Sequence, residues 1–390
     1  MWILFFMRHA SLPFFRSLGM MIGAMIGVGV FGLPYAFAQS GFGVGLLQLF
    51  VLGVLLVILQ LMFSEVVVQT PGSHRLVSYI GLYLGPVWKW VTLLAFALGI
   101  WGAMLAYMVV GGEFLYSLLF PFLGGSPSVY AYAVAGISSL FIFGGLKYVS
   151  KMEILIISIL LFLFLFIILA SLPHIQLEHY ATIDLSHFFV PYGVILFALA
   201  GLGIVPEIKE VLGSNHLRLM APVIISGMCI ILFIYAFFSF AIIGVSGPAT
   251  TPTAFEGLVP SLGETFRIVT AMLGSVTIFS IYLILGIELL NTFKFDFHRS
   301  HRFSWVLVCL VPILFYSFGF REFIHIISFV GGVFGGILGI LVALMYWVMR
   351  RSSFCKTHHC LNFPAPLTWA IIAIFSFGII IECLMTFNLL

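Results

Sequence analysis

The chain has 390 residues, 63% of them hydrophobic and only 7% charged, with a formal net charge of +3. Soluble domains carry about 25% charged residues, so this composition cannot cover a water-facing surface and excludes a soluble globular protein. Together with a mean hydropathy of +1.24, it predicts an all-α polytopic membrane protein whose architecture is set by the bilayer.

The chain opens on MWILFFMRHASLPFFRS. Its apolar run precedes Arg8 and no small-residue cleavage site follows, so it does not read as a secretory signal; Met7 is an alternative start. Residues 17–64 carry no charge, room for two helices of about 20 residues, with Gln39-Ser40-Gly41-Phe42-Gly43 as the turn. Lys89 to Glu113 encloses a third helix, and a fourth follows the breaker run Pro121 to Pro127. The remaining spans are expected at 154–177, 185–206, 219–245, 264–292, 303–320 (with Pro312 inside), 324–349 and 366–388. That makes eleven. With the N-terminus in the cytoplasm, 14 of the 16 Lys and Arg fall inside and only Arg267 and Arg321 outside, as the positive-inside rule requires. The reading is an integral protein of the cytoplasmic (inner) membrane with its C-terminus outside.

Residues 27–32, GVGVFG, have the G-x-G-x-x-G spacing of a dinucleotide-binding turn. That turn needs a preceding strand and an acid about 20 residues on. Here the motif lies mid-membrane and residues 47–55 hold no acid. Gly19, Gly23 and Gly27 form a four-residue stripe suited to helix packing. Gly27, Gly29 and Gly32, followed by Pro34, do not share a face and together weaken the helix. A break at membrane depth is tolerated where it is buried in protein or lines a cavity. The sixth span repeats the device: in PYGVILFALAGLGIVPEIKE, Gly201 stands five residues before Pro206, as Gly29 does before Pro34, with Ala200 and Gly203 as further small residues. Broken helices 1 and 6 begin two five-helix units of opposite topology. Their expected bounds are about 16–173 and 186–349, with an added helix at about 366–388, all in one transmembrane domain.

The run Gly27-Val28-Gly29-Val30-Phe31-Gly32-Leu33-Pro34 resembles the first helix of the amino acid–polyamine–organocation transporter superfamily. FALAGLGIVPEI at 197–208 and LGIELLNTFKFD at 285–296 are similar to its amino acid/auxin and aromatic amino acid permease branch. The resemblance implies a five-plus-five inverted repeat and secondary transport of an amino acid by alternating access. In such a site the unpaired N–H groups of the second half-helix favour an anion. The substrate carboxylate is expected on the backbone of Val28, Gly29, Val30 and Phe31. Its ammonium is expected on carbonyls near Ala24 to Gly27 and Leu199, Ala200 and Gly201, with Gly203 beside them. Trp101 and Tyr107 are candidates to line the pocket, Tyr107 as a gate aromatic; the plainer reading is packed aromatics. The resemblance offers Thr277 and Ser280 as ion-coupling hydroxyls; the plainer reading is bonding to their own helix. The coupling ion is sodium or a proton, and no other cofactor is expected. Some proton-coupled relatives place a Lys in the fifth helix, where this chain has Ile156-Ile157-Ser158-Ile159.

Glu65, Glu113 and Glu288 are candidates as ionisable groups near helix ends. Cys355-Lys-Thr-His-His-Cys360 lacks the paired spacing of a zinc site and reads as a polar connector, and no disulfide framework or metal is expected. Gly331, Gly332, Gly335, Gly336 and Gly339 read as a packing stripe. Partners are the small-molecule substrate and the bilayer, not nucleic acid. The rival readings are a carrier of another small solute on the same fold, a non-transporting amino acid sensor, and a membrane enzyme built on His174, His179, Asp184 and His187.

Overall fold

The structure, a computed structural model, describes residues 12–144, 149–297, 299–351 and 361–387. Residues 1–11 with the two candidate starts, Lys147 and the Cys355–Cys360 connector lie outside the described residues. Every regular element among the described residues is helical.

The first span is a bent pair, α1 (Leu12–Met25) and α2 (Gly29–Ser40), turning by 58° across three residues. Gly41, at φ 97°, makes the turn into α3 (Phe42–Gln69). A short helix absent from the expected spans, α4 (Leu76–Leu84), precedes α5 (Pro86–Leu123). α5 runs a full turn or more beyond its expected end, through Pro121, and stops at Gly124 with φ 63°. Pro121 forfeits its backbone bond to the Ser117 carbonyl, which instead accepts from the Arg267 guanidinium at 2.8 Å. The chain continues through α6 (Pro127–Gly144), α7 (Val149–Ser171) and the second interrupted span, α8 (Val190–Ala198) and α9 (Ile204–Leu212). Then follow α10 (Met220–Ser246), α11 (Val259–Asn291) and α12 (His301–Ser317). The tenth span is α13 (Phe323–Phe329), a π-helical turn (Val330–Gly335) and α14 (Gly336–Arg351), and α15 (Ala365–Thr386) closes the fold. Leaving out the short α4 and counting each interrupted span once, these make eleven spans among the described residues, of which seven, or eight with the bent first pair, are long and apolar enough to cross a membrane by themselves.

Packing reflects the repeat. The halves after and before the two breaks, α2 and α8, lie against each other, as do α1 and α9. α10 runs along both α1 and α2, and α11 lies along α5. Apolar side chains cover the outside, among them Phe50, Leu94, Phe162, Phe233 and Ile380, as a lipid-facing surface requires. Alternation of the spans places Arg16, Arg75, Lys89, Lys209, Arg218, Arg350 and Arg351 on one face, called the basic face below.

Candidate functional site

The residues from Val28 to Pro34 are all buried, so the first break is enclosed in protein. Its orphaned backbone groups are partly repaired. Phe31 N–H donates to the Val28 carbonyl at 3.1 Å, and Val30 N–H reaches the Gly27 carbonyl at a long 3.4 Å. Both are tight, 3₁₀-type bonds. Val28 N–H donates to the Tyr107 hydroxyl at 2.8 Å, a buried bond. Gly29 N–H has no backbone acceptor among the described residues.

At the second break the Leu199 and Ala200 N–H groups donate to Ile195 and Phe197 carbonyls, and Val205 to Leu202. The two breaks touch directly. A Cβ added to Gly29 would lie 2.8 Å from the Ala198 Cα and 2.8 Å from the Phe197 ring, and one added to Gly201 would lie 2.7 Å from the Met25 sulfur. Glycine is needed at position 29 because backbone faces backbone there. The fully buried Tyr235 hydroxyl of α10 stands 3.0 Å from the Met25 carbonyl and 2.9 Å from the Ala198 carbonyl. One phenolic proton thus serves the last carbonyls of both half-helices.

Access is one-sided. The Phe31 ring centroid lies 4.9 to 6.3 Å from those of Phe255, Phe114, Phe164 and Phe238. This cluster fills the side facing away from the basic face. On the other side Ala24 and Ala200 are exposed, and Gly27, Gly201, Leu202 and Gly203 are half-buried. Glu288 of α11 joins them, with an oxygen 3.6 Å from a Cβ built on Gly203. Arg75 pairs with Glu207 at 2.9 Å, and the Lys209 ammonium donates to the Val67 and Thr70 carbonyls at 2.8 and 2.9 Å, tying α9 to the end of α3.

The expected backbone residues, Ala24 to Phe31 and Leu199 to Gly203, are therefore brought together, and Tyr107 meets them. Trp101, two turns nearer the basic face, is buried with its indole N–H unpartnered. Thr277 and Ser280 each donate to their own helix, to the Leu273 and Val276 carbonyls, both at 2.9 Å. Glu65 is tied structurally, accepting from Gln69 and from Leu361 N–H. Glu113 lines a cavity of about 20 Å³ with Glu256 and Arg267, directly behind the Phe31 cluster, whose Phe114 and Phe255 also line it. Of the His and Asp residues between α7 and α8, Asp184 and His187 serve a local turn and His179 ties the segment to α10. His179 bonds the Gly244 carbonyl, and hydrogen bonds from Ser186 and His187 hold the Asp184 carboxyl down at about 2.

Two residues at the site were not singled out from the sequence. Tyr235 was hidden in an unbroken apolar helix, although it is the one tyrosine of α10. Gln60 of α3 is buried beside Met25 and Met228, its carbonyl oxygen unpartnered. A buried amide in so apolar a span was the available signal.

The sequence matches the Tryptophan/tyrosine permease family over residues 11–385. Among curated proteins it is similar to Tyrosine-specific transport system 1 of Haemophilus influenzae, 24% identical over 352 residues, covering 85% of this chain and 86% of that one. Among solved structures it shares the fold of MhsT in complex with L-phenylalanine, at a TM-score of 0.69 and 15% identity over 96% of this chain and 98% of that one. It also shares that of Mhp1, a nucleobase-cation-symport-1 family transporter closed around bromovinylhydantoin, at 0.64 and 15% over 96% and 91%.

Proposed function

The chain belongs to the tryptophan/tyrosine permease family, and from that premise we propose that it carries an aromatic amino acid, L-tyrosine the first candidate, through the junction of its two broken helices. It is a multi-pass membrane protein and a secondary transporter of amino acids, not an enzyme. The substrate choice follows the family and the tyrosine transport system it resembles. The observation that carries it is the junction itself: Gly29 seated on Ala198, with Tyr235 holding a carbonyl of each break.

In this reading the carboxylate takes the free Gly29 N–H and the positive end of α2, with Val28, Val30 and Phe31 flanking it. The Tyr107 hydroxyl, which accepts from Val28, turns its own proton to the same carboxylate. The ammonium supplies donors to carbonyls from Ala24 to Gly27 and from Leu199 to Gly201, where the Met25 carbonyl and the adjacent Ala198 carbonyl already share the Tyr235 proton. Gln60 offers a further acceptor. Ala200 and Gly203 leave room for the substrate, and its ring stacks on the Phe31 cluster.

The basic face is cytoplasmic, so the N-terminus is inside, the C-terminus outside, and the membrane is the cytoplasmic membrane. The described conformation is then closed outside by the Phe31 cluster and open inside past Gly203 and Glu288. Alternating access exchanges these two closures, with repeat units bounded near 16–173 and 186–349. A sodium or proton gradient drives uphill movement, and Thr277 and Ser280 keep free lone pairs for an ion. Uptake of labelled L-tyrosine into proteoliposomes under an imposed ion gradient tests the proposal. Gradient-dependent accumulation is expected; no flux of tyrosine, tryptophan or phenylalanine contradicts it.

A further inference from the structure

Glu382 of α15 is 2% exposed, inside a membrane span, and one of its carboxyl oxygens has no hydrogen-bond partner. It is seated on glycines from two other spans. A Cβ built on Gly193 of α8 would lie 2.8 Å from that oxygen, and one built on Gly332 of the π turn 3.0 Å from it. The Ser328 hydroxyl of α13 lies 2.5 Å from the same Gly193 point. The Tyr192 hydroxyl of α8 packs against Gly378, one turn before Glu382. Both hydroxyls are also buried without partners. Three buried polar groups thus meet at one seam, where α8, the π turn and α15 join, with the Ser328 hydroxyl within reach of the carboxyl.

The glycines of the tenth span explain the seam. Gly332, Gly336 and Gly339 do keep a packing stripe, against Glu382, Ile379 and Phe375. Gly331 instead lies against the Gly193 carbonyl and the Phe197 backbone. Phe197 is the residue whose ring sits on Gly29. Any opening between α8 and the π turn therefore moves a residue that touches the first break.

An ionised carboxylate buried without a counter-ion is prohibitively costly. The elements packed on α15 supply none. α8 offers only Tyr192, and the π turn has no titratable group. His325 of α13 is solvent-exposed and paired with Glu322 at 2.7 Å. Tyr346, Arg350 and Arg351 lie toward the far end of α14 and face the chain after it or Trp347. A cation shell of several oxygens is not assembled here; one carboxyl with two hydroxyls is a site for a proton.

We infer that Glu382 is a proton-binding site: it takes a proton from the outer water when the seam between α8 and the π turn opens on that side, keeps it while the seam is closed, and releases it to the inner water when the seam opens inward. Because Gly193, Ser328 and Glu382 all lie in the halves of their spans away from the basic face, the proton comes from the outer side. The inference rests on the transport reading above and gives it its driving ion.

The test uses the full-length protein in weakly buffered proteoliposomes with labelled L-tyrosine and no sodium. For the wild type, each pH unit of inward-directed proton gradient is expected to raise the accumulation ratio about tenfold. Tyrosine addition should draw protons into the vesicles. Glu382→Gln, which mimics the protonated form, is expected to exchange tyrosine across the membrane while its accumulation ratio no longer responds to the pH gradient. In a parallel set with an imposed sodium gradient and no pH gradient, wild-type accumulation that follows sodium and moves no protons overturns the inference and leaves the transport reading standing. A Glu382→Gln variant that accumulates like the wild type also overturns it. Absence of any tyrosine exchange by the wild type refutes the transport reading instead. If Glu382→Gln misfolds, the wild type still carries the test: dicyclohexylcarbodiimide, which reacts with protonated buried carboxyls, is expected to label Glu382 and to abolish the pH-driven accumulation, and loss of that accumulation without label on Glu382 overturns the inference.

Discussion

The two helix breaks use the same device, a helix end at mid-bilayer, and hold it differently. The first spans three residues, is buried except at half-buried Gly27, has a side-chain partner for Val28 N–H and tolerates no added atom at Gly29. The second spans five residues, is half-exposed, and leaves room at Gly203, where the nearest atom to an added Cβ is a Glu288 oxygen at 3.6 Å. One break therefore fixes geometry while the other gives access. Tyr235 is where they are coupled, since it holds a carbonyl of each.

The largest effect is expected at the rigid break. Gly29→Leu drives a branched side chain into the Ala198 backbone, an overpacking that costs about 1–3 kcal/mol when the surroundings can shift. Backbone cannot, so tyrosine uptake in proteoliposomes should fall to background while the protein still inserts and elutes as a folded species. Tyr235→Phe comes next. It strips the donor from two buried carbonyls, at about 1–3 kcal/mol for each group left unsatisfied. Titration calorimetry should show tyrosine affinity weakened about tenfold to hundredfold, 1.4 kcal/mol being a factor of ten. Tyr107→Phe removes one bond at the first break only and should cost about tenfold in the apparent KM for uptake, on the same scale. Gly203→Ala should be the mildest, within about 0.5 kcal/mol of wild-type stability as for a substitution with room around it, and with uptake nearly unchanged. If Gly203→Ala proves as damaging as Gly29→Ala, the two breaks are equivalent and the contrast is lost.

Much of this contrast was legible before any coordinates. Gly29 with Pro34 and Gly201 with Pro206 mark both breaks, because glycine and proline act on the backbone itself, wherever the helix lies. The charge-free stretches between loop residues mark the spans for a different reason, charge being costly at membrane depth. What depended on tertiary contact was not legible. Nothing local distinguishes Tyr235 from a packed aromatic until Met25 and Ala198 are brought to its hydroxyl. The tenth-span glycines, four residues apart, read as packing, and three of them do pack on α15. The π turn among them appears only once Gly331 meets the Gly193 backbone. Thr277 and Ser280, offered by resemblance, have their protons committed to their own helix, and the carboxyl beside the second break, Glu288, looked from its position like one of several near helix ends.

The account's central claim is that a single amino acid is held where the two breaks meet. Saturable binding of labelled L-tyrosine to the purified protein tests it most directly, with the wild type and Gly29→Leu measured side by side in detergent. Saturable binding by the wild type and none by Gly29→Leu, at equal recovery of folded protein, is the predicted result. Binding by Gly29→Leu with wild-type affinity would contradict the claim and leave the glycines as packing alone.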